Sequence, residues 1–139
     1  MEVKKQLQEK YIELQNLDRQ IRLLQQQFQN LENQILELQI VKQSLDDLRK
    51  IKLEKELLVP ISPGIFIKTI LKDNKNLVVN VGASVAAKKN VTQTKELLNI
   101  QMEEVKKLQM NILVDMQKLS DQARSLEKEI NELVVKLKK

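Results

Sequence analysis

From Leu98 onward an apolar residue returns in alternating steps of four and three almost to the last residue. The series is Leu98, Met102, Val105, Gln109, Ile112, Met116, Leu119, Ala123, Leu126, Ile130, Leu133 and Leu137, with one polar interruption at Gln109. This is an a/d heptad seam, and it commits the segment to a long helix with one stripe buried against another helix. A second seam runs through the N-terminal part, with Leu7, Leu14, Ile21, Phe28 and Ile35 at a and Leu17, Leu24, Leu31, Leu38 and Leu45 at d. Beyond Leu38 the apolar residues Val41, Leu45 and Leu48 suggest a three-residue step, the mark of a stammer. Lys10 and Lys42 fall on seam positions, where an ammonium is tolerated only if its stem snorkels outward.

The segment between the seams cannot be helical. All four Pro and Gly residues (Pro60, Pro63, Gly64, Gly82) lie there, and such punctuation marks turns. Leu57, Leu58, Val59 and Ile61 precede Ser62-Pro63-Gly64, and Ile65 to Leu71 is rich in β-branched residues. The polar run Asp73 to Asn76 separates these from Leu77, Val78, Val79 and Val81, after which Gly82-Ala83 predicts a reversal into a fourth strand from Ser84. The expectation is a mainly α protein: a long antiparallel two-helix coiled coil with two central β-hairpins. It is one domain over residues 1–139, with a first helix over 1–56, two hairpins over 57–89 and a second helix over 92–139. Asn90 with Gln93 approximates a capping box for that helix, and Thr92 or Thr94 are alternative caps.

Composition closes off several function classes. No cysteine and no histidine occur, which removes thiolate chemistry, the commonest general base and the commonest metal ligand. Adjacent carboxylates such as Asp46-Asp47 and Glu103-Glu104 point in different directions on a helix, so no enzyme site, cofactor or metal is expected. The net charge of +5 is spread among interleaved Lys and Glu, which argues for a solvated surface and against a nucleic-acid footprint. No apolar run approaches the ~20 residues needed to span a bilayer, and no signal-like leader is evident, so a soluble cytoplasmic protein is expected.

Short connections make neighbouring helices antiparallel. Levelling their base near Lys55 and Thr92 puts both chain ends at one tip of a rod and sets Gln109 near Leu38, with the hairpins ~70 Å away at the other end. A lone hairpin buries little and presents open edges. Val59, Ile61, Ile65, Phe66, Ile67, Ile70, Leu77, Val79, Val81 and Val85 are therefore the expected oligomerisation residues. At the tip, Val3, Leu7, Tyr11, Ile12, Leu14, Ile130, Leu133, Val134, Val135 and Leu137 offer apolar surface, of which Ile12, Val134 and Val135 fall outside the seam. Off-seam apolar residues also occur elsewhere (Leu23, Leu36, Ile40, Leu97, Ile100, Leu113, Val114). They either widen the stripe between the helices or face a neighbouring rod.

Helix, two hairpins, helix resembles the α-type subunit of prefoldin. Leu58-Val59-Pro60-Ile61, Gly64-Ile65-Phe66-Ile67-Lys68 and Leu77-Val78-Val79-Asn80-Val81-Gly82-Ala83-Ser84-Val85 look like that family's strand motifs. Asn80 stands where the family often has glycine, and Ser62-Pro63 replaces a Gly-Ala pair. The resemblance implies an ATP-independent holdase chaperone that assembles through its strands into a β-barrel platform. Its coiled-coil tips bind unfolded client proteins and pass them to a group II chaperonin. Two placements remain open: a subunit that joins β-type prefoldin subunits, or a divergent archaeal α-like paralogue, of the kind called gamma prefoldin, that assembles with itself. The alternative from another class is a structural coiled-coil protein forming filaments through the same hairpins.

Overall fold

A computed structural model describes residues 2–138 and places the elements in the order α1 (Glu2–Lys50), β1 (Glu56–Ser62), β2 (Ile65–Ile70), β3 (Asn76–Gly82), β4 (Val85–Asn90) and α2 (Val91–Lys138). Both helices end on cations, Arg49 and Lys50 in α1 and Lys136 and Lys138 in α2, which complement the negative end of the helix dipole. Gln43 with Asp47 and Gln117 with Asp121 add amide–carboxylate bonds at i, i+4, a modest local support. The chain divides into two compact units: Met1–Gln34 with Val105–Lys139, and Ile35–Glu104.

In the terminal unit α1 and α2 run antiparallel, as cross-helix bonds from Lys10 to Glu129 and from Gln109 to Glu32 require. Its core is the expected seam: Leu7, Leu17, Ala123, Leu126 and Ile130 are buried, and Val3, Leu14, Leu119, Leu133 and Val134 pack against them half-buried. Lys10 keeps its stem in the seam and its ammonium on Glu129, so snorkelling resolves that seam position. Gln109 is buried; its Nε2 donates to Glu32 Oε2 at 2.9 Å and to the Phe28 carbonyl at 3.4 Å. The partner is thus about one heptad earlier in α1 than levelling the two helices placed it.

The hairpin unit explains that offset. The first helix stops at Lys50 rather than continuing to residue 56. Ile51 N–H bonds the Leu48 carbonyl, Glu54 adopts a left-handed φ of 67°, and the Asn74 amide holds the Ile51 carbonyl at 3.0 Å. Glu54, four residues past the last helical residue, is a left-handed position in the connection to β1. The three-residue step expected beyond Leu38 falls later: Val41 is exposed and Lys42 holds the seam, while Leu45 and Leu48 are half-buried and Arg49, where an unbroken heptad would return, is exposed. Keeping Lys42 on the seam costs little when its stem lies along the stripe.

α2 starts at Val91, one residue earlier than expected, and is capped reciprocally. Asn90 Oδ1 accepts from Gln93 N–H at 2.7 Å, and Asn90 N–H donates to Gln93 Oε1 at 3.1 Å. Of the alternatives the sequence left open, the Asn90–Gln93 box is therefore the one formed, satisfying two backbone donors at once. Thr94 is used differently, donating its hydroxyl to the Asn90 carbonyl at 2.9 Å. Val91 is 2% exposed and anchors the junction.

Candidate functional site

Each hairpin forms a separate two-stranded antiparallel sheet, β1 with β2 and β3 with β4. In the first, the pairs run from Glu56↔Ile70 to Pro60↔Phe66, then skip Ile61 and close on Ser62↔Ile65. Pro63 fixes φ in the reversal and Gly64 takes φ +80°, a value that L residues avoid. In the second hairpin the reversal is Ala83-Ser84, one residue later than the expected Gly82-Ala83. The two residues have φ of 49° and 61°, while Gly82 sits at +111° beside the bulge at Val81. Asn80 Oδ1 accepts the Gly82 N–H at 2.9 Å. That bond gives the asparagine at this position a local task, since an amide there steadies an irregular backbone.

Apolar side chains cover both faces of these ribbons. Val59, Ile61, Ile65, Phe66, Ile67, Ile70, Val81 and Val85 are exposed, and Leu77 and Val79 are half-buried. Two more belong with them: Leu58 is 62% and Val78 80% exposed. The signal for both was the unbroken runs Leu57-Leu58-Val59 and Leu77-Val78-Val79, which lack the alternation of a strand with one wet face.

Asp73 organises the link between the hairpins. Its carboxylate accepts the Lys75 and Asn76 backbone N–H groups at 2.8 and 3.0 Å and the Asn76 side-chain amide at 3.2 Å. The two backbone bonds, then the side-chain amide, hold its pKa below the ordinary aspartate value. Asp46 is lowered likewise, first by its 2.8 Å hydrogen bond from Lys95. A carboxyl depressed on folding adds stability above its unfolded pKa and loses it as the pH falls through the folded value. Melting temperature should therefore fall as the pH is lowered below about 4. An Asp73→Asn variant should show a shallower acid slope, and an unchanged slope would contradict this role. Lys10 acts in the opposite range. Its hydrogen bond to Glu129 raises its pKa, so that contribution is complete below the ordinary lysine value and fades in strong alkali.

Near the chain termini, the expected client-contact residues separate into two groups. Leu7 and Ile130 are buried, Val3, Leu14 and Leu133 are half-buried in the seam, and Val134 packs half-buried against it from outside the a/d series. Tyr11, Ile12, Val135 and Leu137 are exposed, Ile12 by 59%. The off-seam residues Leu23, Leu36, Ile40, Ile100, Leu113 and Val114 are also exposed, so they do not widen the buried stripe; only Leu97 is half-buried. Leu108 and Met110, unremarked in the sequence, join the exposed set. Leu108 borders a recess of about 390 Å³ floored by Leu31 and Ile112 and rimmed by Gln27, Asn30 and Asn111.

A family model described as "Prefoldin subunit" matches residues 17–136, a span that takes in the hairpin unit and most of the terminal unit. The chain belongs to the prefoldin family, as an alpha-type subunit. Curated relatives agree. It is 31% identical to prefoldin subunit alpha of Pyrococcus horikoshii, over 72% of this chain and 68% of that one. It is 34% identical to prefoldin subunit alpha 1 of Thermococcus kodakarensis over the same shares. A filamentous PFD from Methanocaldococcus jannaschii, solved by cryo-EM, matches with a TM-score of 0.77 at 17% identity. That match covers 84% of this chain and 96% of that one, and shows the shared fold.

The residues that carried the prefoldin resemblance fall on the strands and the second reversal. Leu58 to Ile61 lie in β1, Ile65 to Lys68 in β2, and Leu77 to Val85 run from β3 through the reversal into β4. Other surfaces of this prefoldin subunit offer little chemistry. Among the described residues no group of three or more His, Cys, Asp or Glu side chains is arranged to hold a metal ion, and no helix is long and apolar enough to cross a membrane. A recess of about 350 Å³ beside the start of α2 is lined by Arg49, Asn74, Lys75, Asn90, Val91 and Thr92.

Proposed function

We propose that this subunit is an ATP-independent holdase that assembles through its hairpins and holds unfolded polypeptides on apolar side chains near its chain termini. One observation carries the reading. Two separate two-stranded ribbons expose apolar groups on both faces and have unpaired edges, a state that isolated hairpins sustain poorly in water. Strands from other subunits would cover them. The partners under this reading are further copies of the chain or β-type prefoldin subunits, unfolded clients and a group II chaperonin, in the cytoplasm. Residues 1–139 act as one prefoldin-like domain, since the family match crosses both compact units.

The client surface rests on Tyr11, Ile12, Val135 and Leu137, because Leu7, Leu14, Ile130 and Leu133 are engaged in the seam. Exposed, flexible apolar groups bind scattered apolar segments with little sequence demand. Replacing those four residues by serine should preserve helicity and native mass while removing most protection of a denatured client from aggregation in a light-scattering assay. Full protection by the variant would refute the client surface. A second reading, a structural filament, is favoured by the fold shared with a filamentous PFD. Electron micrographs of the pure protein would show lengthening polymers in that case and discrete particles in the other.

A further inference from the structure

The net charge that looks evenly spread along the whole chain is segregated by region. Residues 49–95 hold ten of the 24 Lys and Arg side chains but only three of the 19 Asp and Glu, which leaves fourteen against sixteen elsewhere. Six of those ten gather where the helices meet the hairpins. Arg49 and Lys50 close α1, and Lys52 follows in the connection to β1. The Asn74 amide donates to the Ile51 carbonyl at 3.0 Å, and the Glu54 N–H to the Leu71 carbonyl at 2.8 Å. Those two bonds draw the link between β2 and β3, with Lys72 and Lys75, against the end of α1. Beyond its backbone and side-chain amide donors, the Asp73 carboxylate also feels the charge of Lys88 on β4. Six exposed cations thus form one collar.

The fold accounts for two of them, since Arg49 and Lys50 complement the negative end of the α1 dipole. Lys75 has the opposite surroundings. With Arg49 it lines the recess of about 350 Å³ beside the start of α2, where the helix dipole disfavours cations and the first turn holds no acidic residue. Among the described residues none of the six is ion-paired; the ion pairs are made by Lys10, Lys68, Lys95 and Arg124. Asp73, next in sequence to Lys72, has its carboxylate committed to the Lys75 and Asn76 N–H groups. Gathering like charges without partners costs stability, so the collar has the form of a site for a polyanion.

The groups present select among polyanions. Five of the six cations are lysines, each a compact charge with three donors, and Asn74, Asn90 and Thr92 join Arg49 and Lys75 in the recess lining. Lys, Arg, Asn and Thr are side chains that hold phosphate and sugar. A protein partner needs an apolar anchor at the centre of its contact, yet the apolar residue lining the recess, Val91, is 2% exposed. The aromatic residues Tyr11, Phe28 and Phe66 all lie on other segments, so the collar has no ring on which to stack a base. We infer that the collar binds the phosphate backbone of a nucleic acid strand. This goes beyond the holdase reading and stands without it.

Fluorescence anisotropy of a labelled oligothymidine tests it on the full chain. Six phosphate contacts on a single strand give a slope of about −4 for log K against log salt, a loss of roughly 300-fold between about 50 and about 200 mM. Lys72→Gln/Lys75→Gln/Lys88→Gln should halve that slope to about −2 at unchanged helicity and native mass. Lys4→Gln/Lys5→Gln/Lys128→Gln removes the same charge from exposed positions outside the collar and should leave the slope as it is. An unchanged slope in the first variant, or equal losses in both, would overturn the collar. So would the absence of binding by the wild-type protein at about 50 mM salt, a result that needs no variant to fold. Tighter binding of polyglutamate than of the oligothymidine at the same salt would overturn the nucleic acid in favour of an acidic polypeptide.

Discussion

Leu126→Ala should cost about 3 kcal/mol of stability, seen as a lower urea midpoint for loss of helical circular dichroism. Leu126 is 6% exposed and sits among Leu7, Leu17, Ala123 and Ile130, the only other residues of that unit's buried apolar cluster among the described residues. A two-helix interface has no second layer that can relax into the space left by an isobutyl group. Truncating it therefore leaves a cavity as well as losing the transfer free energy of the removed methyls. Val114→Ala is the control, since Val114 is exposed on the same helix and surface truncations usually change stability by under about 0.5 kcal/mol. Equal effects for the two variants would mean that the heptad seam is not what holds this unit.

The second expected result is a gain. Ala83 and Ser84 both lie in the left-handed region in the β3–β4 reversal, a conformation costing about 1–2 kcal/mol for an ordinary L residue. Their signs match a type I′ turn, for which Asn-Gly is the favoured pair. Replacing Ala83-Ser84 by Asn-Gly should stabilise the second hairpin by about 1–2 kcal/mol, read as slower amide exchange across Leu77 to Lys89. Gly82 supplies the opposite case. At φ +111° with nothing within 4 Å of an added Cβ, Gly82→Ala would lose stability through backbone strain alone. Unchanged or faster exchange in the Asn-Gly variant would show that the turn is not under strain.

Much of the fold was legible because heptad spacing is a strong and redundant signal. Leu7, Leu17, Ile35, Met102, Ala123, Leu126 and Ile130 are buried where the a/d series puts them. The hairpins were legible from β-branched runs between the only Pro and Gly residues in the chain. What escaped was set by backbone geometry that no residue type announces. Ile51 and Leu53 extend the apolar pattern past Lys50, so nothing local predicts that α1 stops there. That early stop moved the partner of Gln109 from Leu38 to Phe28 and Glu32. The reversal was placed on Gly82 because glycine is the usual bearer of positive φ, whereas Ala83 and Ser84 carry the turn. At the surfaces, spacing told which residues leave the seam but not how far the seam reaches sideways. Val134 was assigned to the exposed set, yet it packs against the cluster around Leu126.

A heptad seam carries an ambiguity, because sliding one helix past the other by seven residues again sets seam position against seam position. Hydrocarbon burial alone therefore separates neighbouring alignments less sharply than a polar contact does. What separates the native alignment from its neighbours is the polar coupling of Gln109 to Glu32 and Phe28, together with Lys10 on Glu129. Displaced by one repeat, Gln109 would meet Gln25 or Gln39 in place of Glu32, exchanging a hydrogen bond to a carboxylate for a weaker one between neutral amides. The single blemish in an otherwise apolar series thus works as a vernier mark: it contributes little cohesion and favours one alignment over its neighbours.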